Sequence, residues 1–322
     1  MVKNLKDLMI KFQDETSCRK YLIDQRWNGV PTCPKCGSVK AYNIENGKRF
    51  KCANNKCYAK FSVTIGTIFE SSNIPLTTWF PAMYLIASHK KGISSVQLAK
   101  DLGVTQKTAW FMLHRIRESL REKESVLLDG TIEIDETYIG GAIKNKHVKV
   151  REAMKADKFC PQIQKTGVLG LLQREGNVKL EVIKNNDYTA ANLRPIISKN
   201  VNPLALVITD GLNTYRSLNK EFAQHEIVRH ELKQFVRGNY HTNTLEGFWS
   251  IFKRGIYGIY HQVSPKHLAR YCDEFSYRYN SRKLADGVRF EIALTQLEGR
   301  LSYKQLTYDA NKESKENNPQ AK

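Results

Sequence analysis

TIEIDETYIGG, residues 131–141, decides how the larger part of this chain folds. Ile132, Ile134 and Tyr138 alternate with polar positions, the two-residue period of a strand. The pattern places Asp135 at the centre or end of that strand, where a carboxylate is costly unless it is used. A second acid closes LALVITDG, residues 204–211: Asp210 ends a strongly apolar run beside a glycine, a suitable place for a metal site. Taken singly, each also reads as a capping or turn aspartate. GVLGLLQR (167–174) and VKLEVIK (178–184) add strand-like runs, and helical stretches follow, so residues 128–305 are expected to form one mixed α/β (α+β) domain.

In HTNTLEGFWSIFKRG, which starts at His241, the period becomes helical. Leu245, Phe248, Trp249, Phe252 and the following Ile256 share one apolar face, which belongs in a core. Asn243, Glu246, Ser250 and Lys253 share the opposite stripe, and Glu246 and Lys253 stand two turns apart on it. A solvated helix face is an equal reading of this segment by itself. Asp135, Asp210 and Glu246 together suit phosphoryl transfer with two Mg²⁺ or Mn²⁺ ions, which hard carboxylate oxygens hold while leaving room for phosphate. Lys253 would bind a DNA phosphate or orient a base.

Upstream, Cys33 and Cys36 form one closely spaced pair and Cys52 and Cys57 another. Four thiolates on two tight turns suit one tetrahedral Zn²⁺ with no open position, so the ion is expected to be structural. A redox pair or unligated thiols are the alternatives. Residues 31–70 thus read as a zinc ribbon, preceded by a helical segment over 1–30. Cys18, Cys160 and Cys272 read as isolated thiols.

Residues 75–125 carry apolar positions at three and four spacing. Within them, ISSVQLAKDLGVTQKTAWFMLHRIR predicts a helix-turn-helix: a first helix breaks at Gly103, and Thr105 caps a second that starts near Gln106. Gln106, Lys107 and Thr108 would face the major groove, and Arg115 and Arg117 would meet phosphates. An ordinary helical hairpin is the plainer alternative.

With 51 Lys and Arg against 32 Asp and Glu in 322 residues, the formal net charge is +19, which favours a polyanionic partner. The segment 142–167 holds seven basic against two acidic residues and reads as a flexible basic loop, either solvated or gripping a phosphate backbone. No run is apolar enough for a membrane span, and MVKNLKDLMIKFQDE does not read as a signal peptide, so a cytosolic protein is expected. Residues 306–322 read as a polar, disordered tail.

These elements together resemble transposases of the IS1595 (ISXO2-like) family, within the DDE transposase and integrase superfamily. The resemblance rests on the Cys quartet, the helix-turn-helix, IDETYIGG, TDGLNTY, HTNTLEGFWSIFKRGIYGIYH and HLARYCDEFSYRYNSR. It implies an RNase H-like core with Asp135 on the first strand, Asp210 after the fourth and Glu246 on a later helix. The 35 residues between Asp210 and Glu246, with Lys253 seven beyond, match the superfamily's spacing. Some groups of the family carry Asn or His in place of the third acid, so Asn243, on the same stripe, is the alternative third ligand; Glu246 is favoured for its charged oxygen and its spacing, with Asn243 as an adjunct positioning water or metal. The implied activity is binding of terminal inverted repeats, cleavage exposing 3′ hydroxyls, and transfer of those ends to target DNA. It would be carried out by a dimer or larger assembly in a bacterial cytoplasm, at the nucleoid when DNA-bound. In the helix spanning Leu268, Tyr271, Phe275 and Tyr279 those residues read as core, with Arg278, Arg282 and Lys283 left to face DNA. Two competing functions are a non-catalytic DNA-binding regulator and a metal-dependent DNA nuclease; strand-transfer products distinguish the nuclease from a transposase.

Overall fold

The computed structural model describes residues 2–123, 126–141, 148, 152, 165–183, 187–228 and 236–308. Most of the basic segment 142–167, Cys160 with it, and residues 309–322 of the tail therefore lie outside the described residues. The chain divides into two compact units: Met1–Ser88, Ser95–Ser119 and Asp286–Lys322 in one, His89–Ser94 and Leu120–Ala285 in the other. No described helix is long and apolar enough to cross a membrane.

The first unit opens with α1 (Leu5–Lys11) and α2 (Glu15–Trp27). Asn4 and Asp14 cap them by accepting from the amides of Asp7 at 2.9 Å and Ser17 at 2.7 Å. A small antiparallel sheet follows, β1 (Ala41–Ile44), β2 (Arg49–Cys52) and β3 (Lys60–Phe61). Helix α3 (Leu76–Ser88) is buried nearly all round, from Leu76 through Trp79 and Phe80 to Ala87, and a helix apolar on every side must sit inside its unit. Helices α4 (Ser95–Leu102) and α5 (Gln106–Ser119) form the expected pair. Gly103 takes the left-handed conformation the turn needs, with φ 65°, and the Thr105 hydroxyl accepts from the Thr108 amide at 3.2 Å.

The second unit is built on a five-stranded sheet of β4 (Thr131–Ile139), β5 (Thr166–Gln173), β6 (Val178–Val182), β7 (Leu206–Asp210) and β8 (Gln224–Val228), in the order β6-β5-β4-β7-β8. The first three strands meander antiparallel, while β4, β7 and β8 run parallel. Helix α6 (Ala190–Asn200) packs Leu193 and Ile197 on Ile132, Ile134, Leu169 and Val207. Helices α7 (Asn243–Gly258) and α8 (Pro265–Asn280) bring Leu245, Phe248, Phe252 and Phe275 to a second core with Val168, Leu172 and Val178. Counted within this sheet in chain order, the strands lie 3-2-1-4-5, antiparallel on one side and parallel on the other under helices, the RNase H-like arrangement that the resemblance implies.

The expected end of the mixed domain near residue 305 is corrected. Helix α9 (Asp286–Thr295) and the short α10 (Tyr303–Thr307) group with the first unit. The Phe290 ring lies 6.0 Å from those of Phe80 and Tyr84 and 6.3 Å from that of Phe12. An apolar helix such as α3 demands cover on more sides than its sequence neighbours supply, and the far end of the chain provides it.

Candidate active site

The parallel register of β4 and β7 runs from Thr131 opposite Leu206 to Ile134 opposite Thr209. The next residue of each strand is an aspartate, Asp135 and Asp210. Oxygens of Asp135, Glu136 and Asp210 all lie within 4.8 Å of one another, and the three side chains are half-buried. Leu212 donates its amide to Asp210 Oδ1 at 3.2 Å, fixing the exit from β7. Trp249 Nε1 donates to Asp135 Oδ2 at 3.0 Å, and the Tyr215 hydroxyl donates to Glu136 Oε1.

Like charges so close resist ionisation. Desolvation, then the Asp210 carboxylate and more weakly Glu246, raise Asp135 to about 6 against the Trp249 hydrogen bond. Desolvation also dominates at Glu136, where Asp210 and Asp135 add to it and Tyr215 opposes it, giving about 8. A divalent cation held by the three oxygens would relieve this repulsion, so the donor set fits Mg²⁺ or Mn²⁺.

A missing side chain makes room for one of these contacts. Gly170 of β5 pairs with Asp135 of β4. A Cβ there would stand 2.5 Å from Trp249 Cζ2, so only glycine lets the indole reach the carboxylate without displacement.

Helix α7 has the two faces the sequence predicts: Leu245, Phe248, Trp249, Phe252 and Ile256 are buried, whereas Asn243, Glu246, Ser250 and Lys253 are exposed. Glu246 Oε1 accepts from the Thr242 hydroxyl at 3.2 Å. Its charge acts on Asp135, but it stands outside the cluster of three oxygens. The structure thus brings Asp135 and Asp210 together, adds Glu136, and leaves Glu246, Asn243 and Lys253 on the neighbouring helix. Glu136, Trp249, Tyr215 and the buried Glu133 were not foreseen as site residues. A signal existed: Glu133, Asp135 and Glu136 put three acids into a strand of nine residues, too many for an element covered on both faces.

In the first unit, the sulfurs of Cys33, Cys36, Cys52 and Cys57 also lie within 4.8 Å of one another, at 3.8 Å between Cys33 and Cys57 and 3.5 Å between Cys36 and Cys52. Four sulfurs about 2.3 Å from a central Zn²⁺ have edges of about 3.8 Å, so the quartet fits the ion. Burial alone would raise the Cys33 thiol, but the Lys35 and Cys36 amides prevail and bring it down to about 7. On α5, Gln106 and Lys107 are exposed and Thr108 half-buried. Arg115 and Arg117 do not meet solvent: they are 3% and 1% exposed. Arg115 Nη2 donates to the Glu70 carbonyl at 2.5 Å, with its guanidinium over the Trp79 and Phe111 rings. Both arginines lie on the packed side of α5, which corrects the expectation that they contact phosphates. Arg278, expected to face DNA, is likewise buried and pairs with Glu274.

Residues 127–280 match the ISXO2-like transposase domain of the IS1595 family, and residues 13–60 match its transposase zinc-ribbon domain. An uncharacterized protein in transposable element ISH50 of Halobacterium salinarum is 26% identical over 275 residues, spanning 83% of this chain and 91% of that protein. Among solved structures, a pre-cleavage Mos1 transpososome is 14% identical, with 94% of this chain and 98% of that one covered at a TM-score of 0.23. A Mos1 transposase paired-end complex with the left transposon end is 13% identical, covering 88% and 96% at the same TM-score of 0.23.

Proposed function

We propose that this chain, which belongs to the IS1595 (ISXO2-like) family of transposases, binds the terminal inverted repeats of its insertion sequence and catalyses 3′-end cleavage and strand transfer. The observation that carries the reading is the meeting of Asp135 and Asp210 on adjacent parallel strands, within reach of one cation and beside the helix that bears Glu246.

Asp135, Asp210 and Glu246 would hold the divalent ions, with Glu136 in contact with the same cluster and Asn243 positioning water or metal. Two bound Mg²⁺ or Mn²⁺ ions supply activation of the attacking oxygen and stabilisation of the leaving 3′ oxygen. Lys253, exposed two turns along α7 from Glu246, would bind a phosphate of the DNA end. Gln106, Lys107 and Thr108 at the start of α5 would read the terminal repeat. The Cys quartet would hold one structural Zn²⁺. The paired ends required for transfer imply a dimer or larger assembly on DNA. We assign residues 31–70 to the ribbon, 75–125 to DNA binding and the mixed-sheet unit to catalysis.

The test is incubation of the purified chain with Mg²⁺ or Mn²⁺ and DNA carrying the ends that flank its gene. Asp210→Ala is expected to abolish 3′-end cleavage and joining; unchanged activity in that variant would overturn the metal assignment. Cleavage without joined products would favour a nuclease instead.

A further inference from the structure

Helix α7 begins without the help its own cap residue should give. Thr242 occupies the cap position but makes no side-chain bond to the first-turn amides; its hydroxyl instead donates to Glu246 Oε1 at 3.2 Å. The acceptor comes from elsewhere in the fold. Glu133, fully buried on β4, accepts the Leu245 amide on Oε2 at 2.9 Å and the Thr244 hydroxyl on Oε1 at 2.9 Å. Leu245 is the third residue of α7, the position a cap side chain normally serves. A carboxylate is also the group best suited to the positive end of a helix.

The rest of the Glu133 environment fixes it there. Arg174 Nε donates to Oε1 at 2.7 Å, and the same guanidinium holds the carbonyls of Asn239 at 2.6 Å and His241 at 2.8 Å. His241 Nδ1 lies 3.5 Å from Glu133 Oε1. One ion pair therefore anchors both the approach to α7 and its first turn. Asp135 follows Glu133 by two residues on the same strand and points to the same face, about 7 Å along. Any movement of the helix start against the strand would move Glu246 against Asp135.

We propose that Glu133 is a positioning residue that caps α7 from the strand carrying Asp135, so that Thr242, released from capping, orients Glu246 for metal. The placement of Glu246 is set by strand β4 rather than by the residues next to it in sequence. This rests on the reading of Asp135, Asp210 and Glu246 as metal ligands.

Three measurements on the full chain separate the two ideas: hydrogen exchange over residues 242–250, Mn²⁺ binding followed by the electron paramagnetic resonance of free Mn²⁺, and 3′-end cleavage. Glu133→Ala is expected to speed exchange of the first-turn amides roughly 10-fold, the loss of a cap, and to weaken Mn²⁺ binding roughly 10-fold. Exchange in α8 should not change. Glu133→Gln keeps an acceptor for the Leu245 amide and should recover most of both. Thr242→Val should weaken Mn²⁺ binding and leave first-turn exchange as in the parent, which a merely structural role would not produce. Parental exchange and Mn²⁺ binding in Glu133→Ala would overturn the proposal. Should that variant fail to fold, Thr244→Val, which removes a single bond to Oε1, must still speed first-turn exchange, and no change there overturns it equally. Cleavage that persists in Asp210→Ala would instead sink the underlying metal reading, whatever the exchange data show.

Discussion

Asp135 and Asp210 stand side by side, one residue beyond Ile134 and Thr209, the last pair in the parallel register of β4 and β7. Side chains at neighbouring positions of adjacent strands point the same way and lie about 5 Å apart at their roots, so the sheet itself presses two carboxylates together. In the absence of a cation that arrangement opposes folding, and the opposition has measurable consequences.

The first is an inverted dependence of stability on pH. Asp135 is raised from its usual 3.8 to about 6 in the folded chain, and Glu136 from 4.5 to about 8. The folded state then binds more protons than the unfolded one between those values, so these groups favour folding in acid. Their contribution is lost as pH rises through about 6 and then about 8. In metal-free protein, Glu136→Gln should therefore flatten the fall of Tm between about pH 5 and pH 8. Saturating Mg²⁺ should raise the parent's Tm more at the upper pH than at the lower, as scanning fluorimetry would show. A metal-induced rise that is the same at both ends would contradict the like-charge origin of the shifts.

A methyl group at residue 170 should act through Trp249. Gly170→Ala places its Cβ against the indole, and relief of the clash would pull Trp249 Nε1 from Asp135. The expected cost is about 1–3 kcal/mol of stability. Single-turnover cleavage should fall by roughly 10-fold, the size of effect typical for a lost partner of a metal ligand. Trp249→Phe removes the same N–H without overpacking, and should slow cleavage to a similar degree with a smaller change in Tm.

Zinc content should be one ion per chain by atomic absorption, and Cys52→Ser should lose it. Cys52, the last residue of β2, is fully buried, and the small core around it holds Cys33, Phe50 and Phe61 with a few partly buried neighbours. Such a module has little besides the ion to hold it together. Limited proteolysis of the variant should cut within residues 41–61 and spare the mixed-sheet unit.

Two basic residues on one helix should fail differently. Lys107 is exposed at the start of α5, so Lys107→Ala is expected to weaken binding to the terminal repeat and reduce its salt slope by about 1, with Tm unchanged. Arg115 is buried against Glu70, Trp79 and Phe111. Arg115→Ala should lower stability by about 2–4 kcal/mol, read in a denaturant titration, before any direct effect on DNA affinity appears. Equal losses of DNA affinity at unchanged Tm would put both residues on the DNA-binding surface after all.

Much of this protein is written locally. The alternation through Ile132 and Ile134, the apolar run ending at Asp210, the helical stripe from Leu245 to Ile256 and the spacing of the four cysteines each depend on neighbours in sequence, and each is found where those patterns put it. What needed the tertiary structure depends on residues far apart along the chain. A basic residue on a helix is read as exposed by default, and only the packing around α5 shows Arg115 and Arg117 to be interior. The return of Phe290 to α3, the addition of Glu136 to the acid pair, and the capping of Leu245 by a carboxylate 112 residues earlier have no signature in local periodicity. Sequence specifies which faces are apolar and which groups can bind metal; burial, register and long-range hydrogen bonds select which of those groups meet, because those terms depend on the whole folded chain.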